Sequence, residues 1–160
     1  MNKFTIEIKW GILFVVASLL WMVFEKAMGW HDVHIDKQAI YTNFFGIIAV
    51  LIYFLALRDK RQNFYDGQMT WRQGFVAGII ITIVVTLFAP LTQYITSTYI
   101  TPDYFNNVIA YSVKNSVMNQ EQAEAYFNLK SYIIQATFGA LVMGVVTAAA
   151  VAWFLKTKKQ

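Results

Sequence analysis

Apolar residues fall along the chain in four long blocks separated by polar stretches: Trp10 to about Trp30, Ile40 to Leu57, Gly74 to about Ile95, and Tyr132 to Leu155. Each block has roughly the 17–25 residues that an α-helix needs to cross a 30 Å hydrocarbon core at 1.5 Å per residue. Charged residues cluster between the blocks and do not mark one face of an amphipathic helix. The pattern predicts an all-α protein: an integral membrane four-helix bundle, with residues 1–160 forming one membrane domain and spans near 10–30, 40–57, 74–95 and 132–155.

The first block is the least regular, because its unbroken apolar run stops at Phe24 and Glu25 and Lys26 follow. Trp10 and Trp30 restore its length, since they are about 30 Å apart on a helix and match aromatic belts at the two interfaces. A basic start, an apolar run and the small-x-small triplet Ala27-Met28-Gly29 also meet the form of a cleavable signal peptide. Glu7 in the leading stretch and Glu25-Lys26 beside the triplet oppose cleavage, so a retained first span is expected. Loss of that segment would leave three helices and move the N-terminus to the other side.

The longest connection lies between the third and fourth blocks, over about 101–131, and is predicted to be an amphipathic helical segment outside the cytoplasm. Thr101-Pro102 offers an N-cap followed by proline at the first helical position, with Phe105, Val108, Ile109 and Ser112 at helical spacing. Asn119 with Gln122 forms a second start signal, a capping box, whose helix could continue into the fourth span. Two short helices resting on the outer surface follow, anchored by Tyr99, Tyr104, Phe105, Tyr111, Tyr126 and Phe127, and acting as a lid on the bundle.

Charge sets the orientation. With the N-terminus inside, nine basic residues (Lys3, Lys9, Arg58, Lys60, Arg61, Arg72, Lys156, Lys158, Lys159) flank the spans on the cytoplasmic side, against four outside (Lys26, Lys37, Lys114, Lys130). This bias predicts that both ends are cytoplasmic. It also accounts for the net charge of +4 without nucleic acid, because the basic residues form no continuous stripe. A hydrophobic content of 58% is too high for a water-exposed surface, and the absence of cysteine excludes disulfides, thiolate chemistry and Cys-ligated metals.

Small residues recur every fourth position on the last two spans: Gly74, Gly78, Thr82 and Thr86 on the third, and Ala136, Ala140, Gly144, Ala148 and Ala152 on the fourth. In lipid, where no hydrophobic force drives helices together, such stripes let backbones approach closely, and they are expected to be packing seams within one chain or between two. Pro90 should kink the third span and free a carbonyl, with Thr86, Thr92 and Gln93 close enough to satisfy it. Glu25 and Lys26 are the nearest approach to intramembrane charge, and their boundary position fits a pair that snorkels to the headgroups better than an ion site.

His31 and His34, with Asp32 and Asp36, have a spacing that would place two imidazoles on one side of a turn, but there is no third histidine and no cysteine to complete a metal site. Gln93 adds a polar group to the third span. No nucleophile elbow, phosphate loop or HExxH stands in the chain. No catalytic, cofactor or metal residues are therefore expected, and the protein is expected not to be an enzyme.

Ile8-Lys9-Trp10-Gly11, the stretch Met69-Thr70-Trp71-Arg72-Gln73-Gly74-Phe75 that enters the third span, and the small-residue fourth span together resemble the bacterial membrane family known as domain of unknown function 4199. The resemblance covers nearly the whole chain and implies a four-span protein of the inner membrane of Bacteroidota, with no catalytic residue to carry over. The expected role is an uncharacterised inner-membrane protein acting as a non-enzymatic accessory or self-associating subunit. Its partners would be membrane lipid and a homodimer or larger complex. The alternative is a small transporter or channel with a polar path along the third span through Thr82, Thr86, Thr92 and Gln93.

Overall fold

The computed structural model describes residues 3–157; Lys158 and Lys159, counted above toward the basic side, lie outside them. The helices are α1 (Thr5–Ala27), α2 (Ile35–Tyr41), α3 (Phe45–Asn63), α4 (Trp71–Ile95), α5 (Tyr104–Lys114), α6 (Gln120–Tyr126) and α7 (Leu129–Leu155). A 3-10 turn, Thr42–Phe44, joins α2 to α3, and a π turn, Thr96–Ile100, prolongs α4. No strand occurs among the described residues, so the chain is all-α. Thr5–Ala27, Ile35–Asn63, Trp71–Ile100 and Leu129–Leu155 are long and apolar enough to cross a membrane, and the protein is a multi-pass membrane protein.

Local chemistry sets the helix ends. At the start of α4 the Thr70 hydroxyl accepts from Gln73 N at 3.3 Å while the Gln73 side chain accepts from Thr70 N at 2.8 Å, a reciprocal capping box. Asn119 and Gln122 make the same exchange at α6, as their spacing predicts. That helix does not run on into the fourth span. Asn128 stops it, because its amide donates to the carbonyls of Glu124 and Ala125 while its oxygen accepts from Ser131 N at 2.9 Å and so caps α7. Thr101 is not the cap of α5, which begins at Tyr104 after Asp103. Its amide and hydroxyl both donate to Thr96 O, at 2.8 and 3.2 Å, and close the π turn instead.

α4 occupies the centre of the bundle and packs against α7, α1 and α3. Its small residues meet those of α7 in antiparallel register. A Cβ added to Gly74 would lie 3.1 Å from the Ala152 methyl, one on Gly78 2.5 Å from the Ala148 methyl, and one on Gly144 2.5 Å from the Thr82 methyl. The stripes thus interlock inside one chain at Gly74, Gly78 and Gly144. Gly11 serves the α1 crossing similarly, since a Cβ there would come within 2.6 Å of Val84.

At the end of the bundle that holds both termini, polar groups tie the helices together. Glu7 and Lys60 form a buried ion pair at 2.9 Å, and Lys60 also donates to Lys3 O at 2.6 Å and lies 3.7 Å from the Phe64 ring centroid. Asp59 accepts from Lys9 at 2.5 Å and from the Trp10 indole at 2.7 Å, so Trp10 is held by a carboxylate as well as by its place near the interface. Thr157 and Met69 exchange two hydrogen bonds of 2.8 and 2.9 Å, which closes the chain onto the start of α4.

A polar vestibule at the far end of the bundle

The opposite end begins with how α1 stops. Gly29 adopts φ 72°, with Gly29 N donating to Lys26 O at 2.9 Å and Trp30 N to Glu25 O at 3.1 Å, the two bonds of a Schellman motif. That reversal carries His31 back over the last turn of α1. Trp30 therefore does not lie in a lipid belt but is buried, stacked on Tyr41 with ring centroids 4.6 Å apart.

Glu25 is fully buried. The Trp21 indole N–H donates to Oε1, and His31 Nε2 stands 2.8 Å from Oε2. An Nε2–H aimed at the carboxylate makes this bond, and the other ring nitrogen, Nδ1, is buried without a partner. The Glu25–Lys26 headgroup pair expected from the sequence is not formed, because adjacent helical residues point about 100° apart: Lys26 is exposed while Glu25 faces Trp21 and His31. His34 is exposed and does not join His31 at this site.

α5 closes over the dyad. Asn107 donates to His31 O at 3.0 Å, and the Tyr104 ring meets the imidazole edge-on at 5.2 Å. The Tyr104 hydroxyl donates to Gln38 at 3.4 Å and receives a 3.2 Å hydrogen bond from Tyr132. Burial pushes the Tyr104 phenol above its ordinary value; the Tyr132 bond opposes this and the Glu25 carboxylate adds to it. Tyr104 and Phe105 thus face the bundle through Tyr132 instead of anchoring the segment in lipid, whereas Tyr99 and Tyr126 are exposed.

Three adjoining cavities line up beneath this cover. The outermost, about 220 Å³, has Lys26, Asp32 and Asp103 at its rim and shares His31, Thr101 and Tyr104 with the next, of about 200 Å³. That one in turn shares Met22, Gln93 and Thr96 with a deeper space of about 140 Å³ bounded by Ser18, Trp21 and Thr92. The shared walls make one stepped vestibule whose mostly apolar lining is set with hydroxyl and amide groups, among them Gln38, Gln93, Thr96 and Thr101.

The polar residues of α4 are therefore divided. Gln93 and Thr92 line the vestibule, where Gln93 donates to Ser97 at 2.9 Å and Thr92 to Ala89 O at 2.9 Å, so neither side chain turns to the carbonyl left free by Pro90. Thr82 lies deeper, in the seam: its hydroxyl donates to Gly78 O at 2.9 Å and receives the Tyr53 hydroxyl at 2.8 Å. Thr86 stands between, with its buried Oγ1 unpartnered.

Trp21, Tyr132, Thr96 and Thr101 were not singled out in the sequence as site residues, and neither was the Glu7–Lys60 pair. Trp21 and Glu25, four apart on a helix that ends in glycine, were the one local signal.

The model of a family described as protein of unknown function (DUF4199) matches residues 9–157. No curated protein and no solved structure matches the chain.

Proposed function

The chain belongs to this DUF4199 family of unknown function, and we propose that it is a non-enzymatic accessory subunit of the inner membrane that takes a small, uncharged, hydrogen-bonding solute into its far-end vestibule. The observation that carries this reading is the stepped cavity lined by Gln93, Thr96, Thr101, Tyr104 and Tyr132. No carboxylate lines its inner two steps, and the nearby buried Glu25 is turned to Trp21 and His31, which favours a neutral solute over a cation. Below the vestibule α4 and α7 touch at Thr82 and Gly144, which supports binding over passage through one chain.

The proposal includes an outward-facing vestibule and cytoplasmic termini, supported by the nine-to-four distribution of basic residues. Because the small-residue stripes are used against each other within the chain, a second copy or a larger complex would dock on the outward faces of the helices.

The chain has no cysteine, so single cysteines report cleanly. In sealed, oriented vesicles a membrane-impermeant maleimide applied on the side away from the termini should label Gln93→Cys and Ser97→Cys and spare Thr82→Cys. Proteoliposomes given glycerol or urea gradients should swell no faster than empty ones; faster swelling would replace this reading with the transporter, and equal labelling at Thr82 would remove the closed floor.

A further inference from the structure

A second cavity of about 370 Å³ opens sideways between α3 and α7, away from the vestibule, and its lining is almost wholly apolar: Val50, Phe54, Val146, Ala150, Val151 and Phe154. It lies toward the end of the bundle that holds the termini. In a bilayer such a groove faces acyl chains, and by itself it selects nothing, because lipid tails are as apolar as its walls.

The charge at its end does select. Val50, Phe54 and Arg58 follow one another at four-residue spacing, so Arg58 stands one turn beyond Phe54 on the same side of α3. Arg58 is exposed and forms no ion pair among the described residues. Arg61, three residues further, reaches from α3 to the end of α7, where Nη1 donates to Leu155 O at 3.2 Å; its Nε is buried without a partner. A guanidinium has five N–H donors, so this bridge leaves donors to spare at the end of the groove. The nearby carboxylates are taken, Glu7 by Lys60 and Asp59 by Lys9 and Trp10.

We infer that this groove is a binding site for an anionic phospholipid, one acyl chain lying between Phe54 and Phe154 and the phosphate resting on Arg58 and the free donors of Arg61. The groove supplies the fit and the two guanidinium groups supply the headgroup preference, as basic pockets between membrane helices do.

The full-length chain, held in nanodiscs of equal phosphatidylglycerol and phosphatidylcholine with matched tails, is moved into neutral detergent and its retained lipid counted by mass. Phosphatidylglycerol should be enriched over phosphatidylcholine. Arg58→Gln should cut that enrichment about fivefold, the worth of one cation at an anionic lipid surface. Arg58→Lys should keep most of it, and Ala150→Phe, which fills the groove, should reduce retention of both lipids. Equal retention of the two lipids by the native chain would overturn the site, as would undiminished enrichment in Arg58→Gln, or disulfide capture of two Phe54→Cys copies across a groove that holds no lipid.

Discussion

Gly78 on α4 and Ala148 on α7 leave no room for a methyl group between them: a Cβ on Gly78 would lie 2.5 Å from the Ala148 Cβ and 3.1 Å from its Cα. Backbone cannot yield there as a flexible side chain would. Gly78→Ala is therefore expected to overpack the seam and destabilise the bundle by about 1–3 kcal/mol. Gly139→Ala, with nothing within 4 Å of its added Cβ, should be neutral or slightly stabilising, because alanine is the better helix former. Thermal unfolding of the two variants in one detergent makes the comparison; equal melting would show that the crossing is looser than this geometry.

Lys60 and Glu7 are nearly inaccessible to solvent, and the pair joins α1 to α3 at the end that holds the termini. Removing either partner leaves the other charge buried, at a cost on the order of 3–5 kcal/mol. Glu7→Ala and Lys60→Ala should each lower the melting temperature sharply, and the double variant should lose much less than the sum of the two. A double-mutant cycle reads this directly, and additive losses would mean that the two residues act independently.

Tyr104 gives the cover of the vestibule an alkaline limit. Burial raises its phenol above 10, so the folded state holds the proton where the unfolded chain has begun to lose it. The contribution is complete below about pH 10 and declines as pH rises through and beyond that point. Hydrogen exchange in α5 should accelerate above pH 10 in the native protein, and the acceleration should be smaller in Tyr104→Phe. An identical pH profile in that variant would assign the loosening to other groups.

What the chain discloses before it folds follows from the range of the interactions. Hydropathy acts over one helix, so the four spans are legible. The four-residue spacing of Gly74 and Gly78 on α4, and of Ala140, Gly144 and Ala148 on α7, shows which faces are smooth, but the register that sets Gly78 against Ala148 depends on a contact 70 residues away in sequence. Glu25 reads as a boundary residue because depth along α1 is all that linear position supplies; its burial comes from the Gly29 reversal, which returns His31 over it. Gly29 itself stood in the sequence as part of a cleavage-like triplet, a pattern blind to φ. The same limit explains Tyr104: an aromatic residue in a connecting segment looks like a lipid anchor until α5 is seen to lie against His31 and Tyr132.

Glu25 and His31 can be separated by chemistry as well as by size. Glu25→Ala would leave the Trp21 and His31 N–H groups without their acceptor and should cost about 1–3 kcal/mol for each donor left unsatisfied, with faster exchange in α5. Glu25→Gln has a gentler route. Its carbonyl can keep the Trp21 bond while its amide donates to Nε2, provided that the His31 ring moves its hydrogen to Nδ1, the atom that has no partner in the native site. That variant should lose only about 1 kcal/mol, and the side-chain ¹⁵N shifts of His31 should pass from an Nε2-protonated to an Nδ1-protonated ring. An Nδ1-protonated ring already present in the native protein would show that His31 accepts from Glu25 and would overturn this prediction.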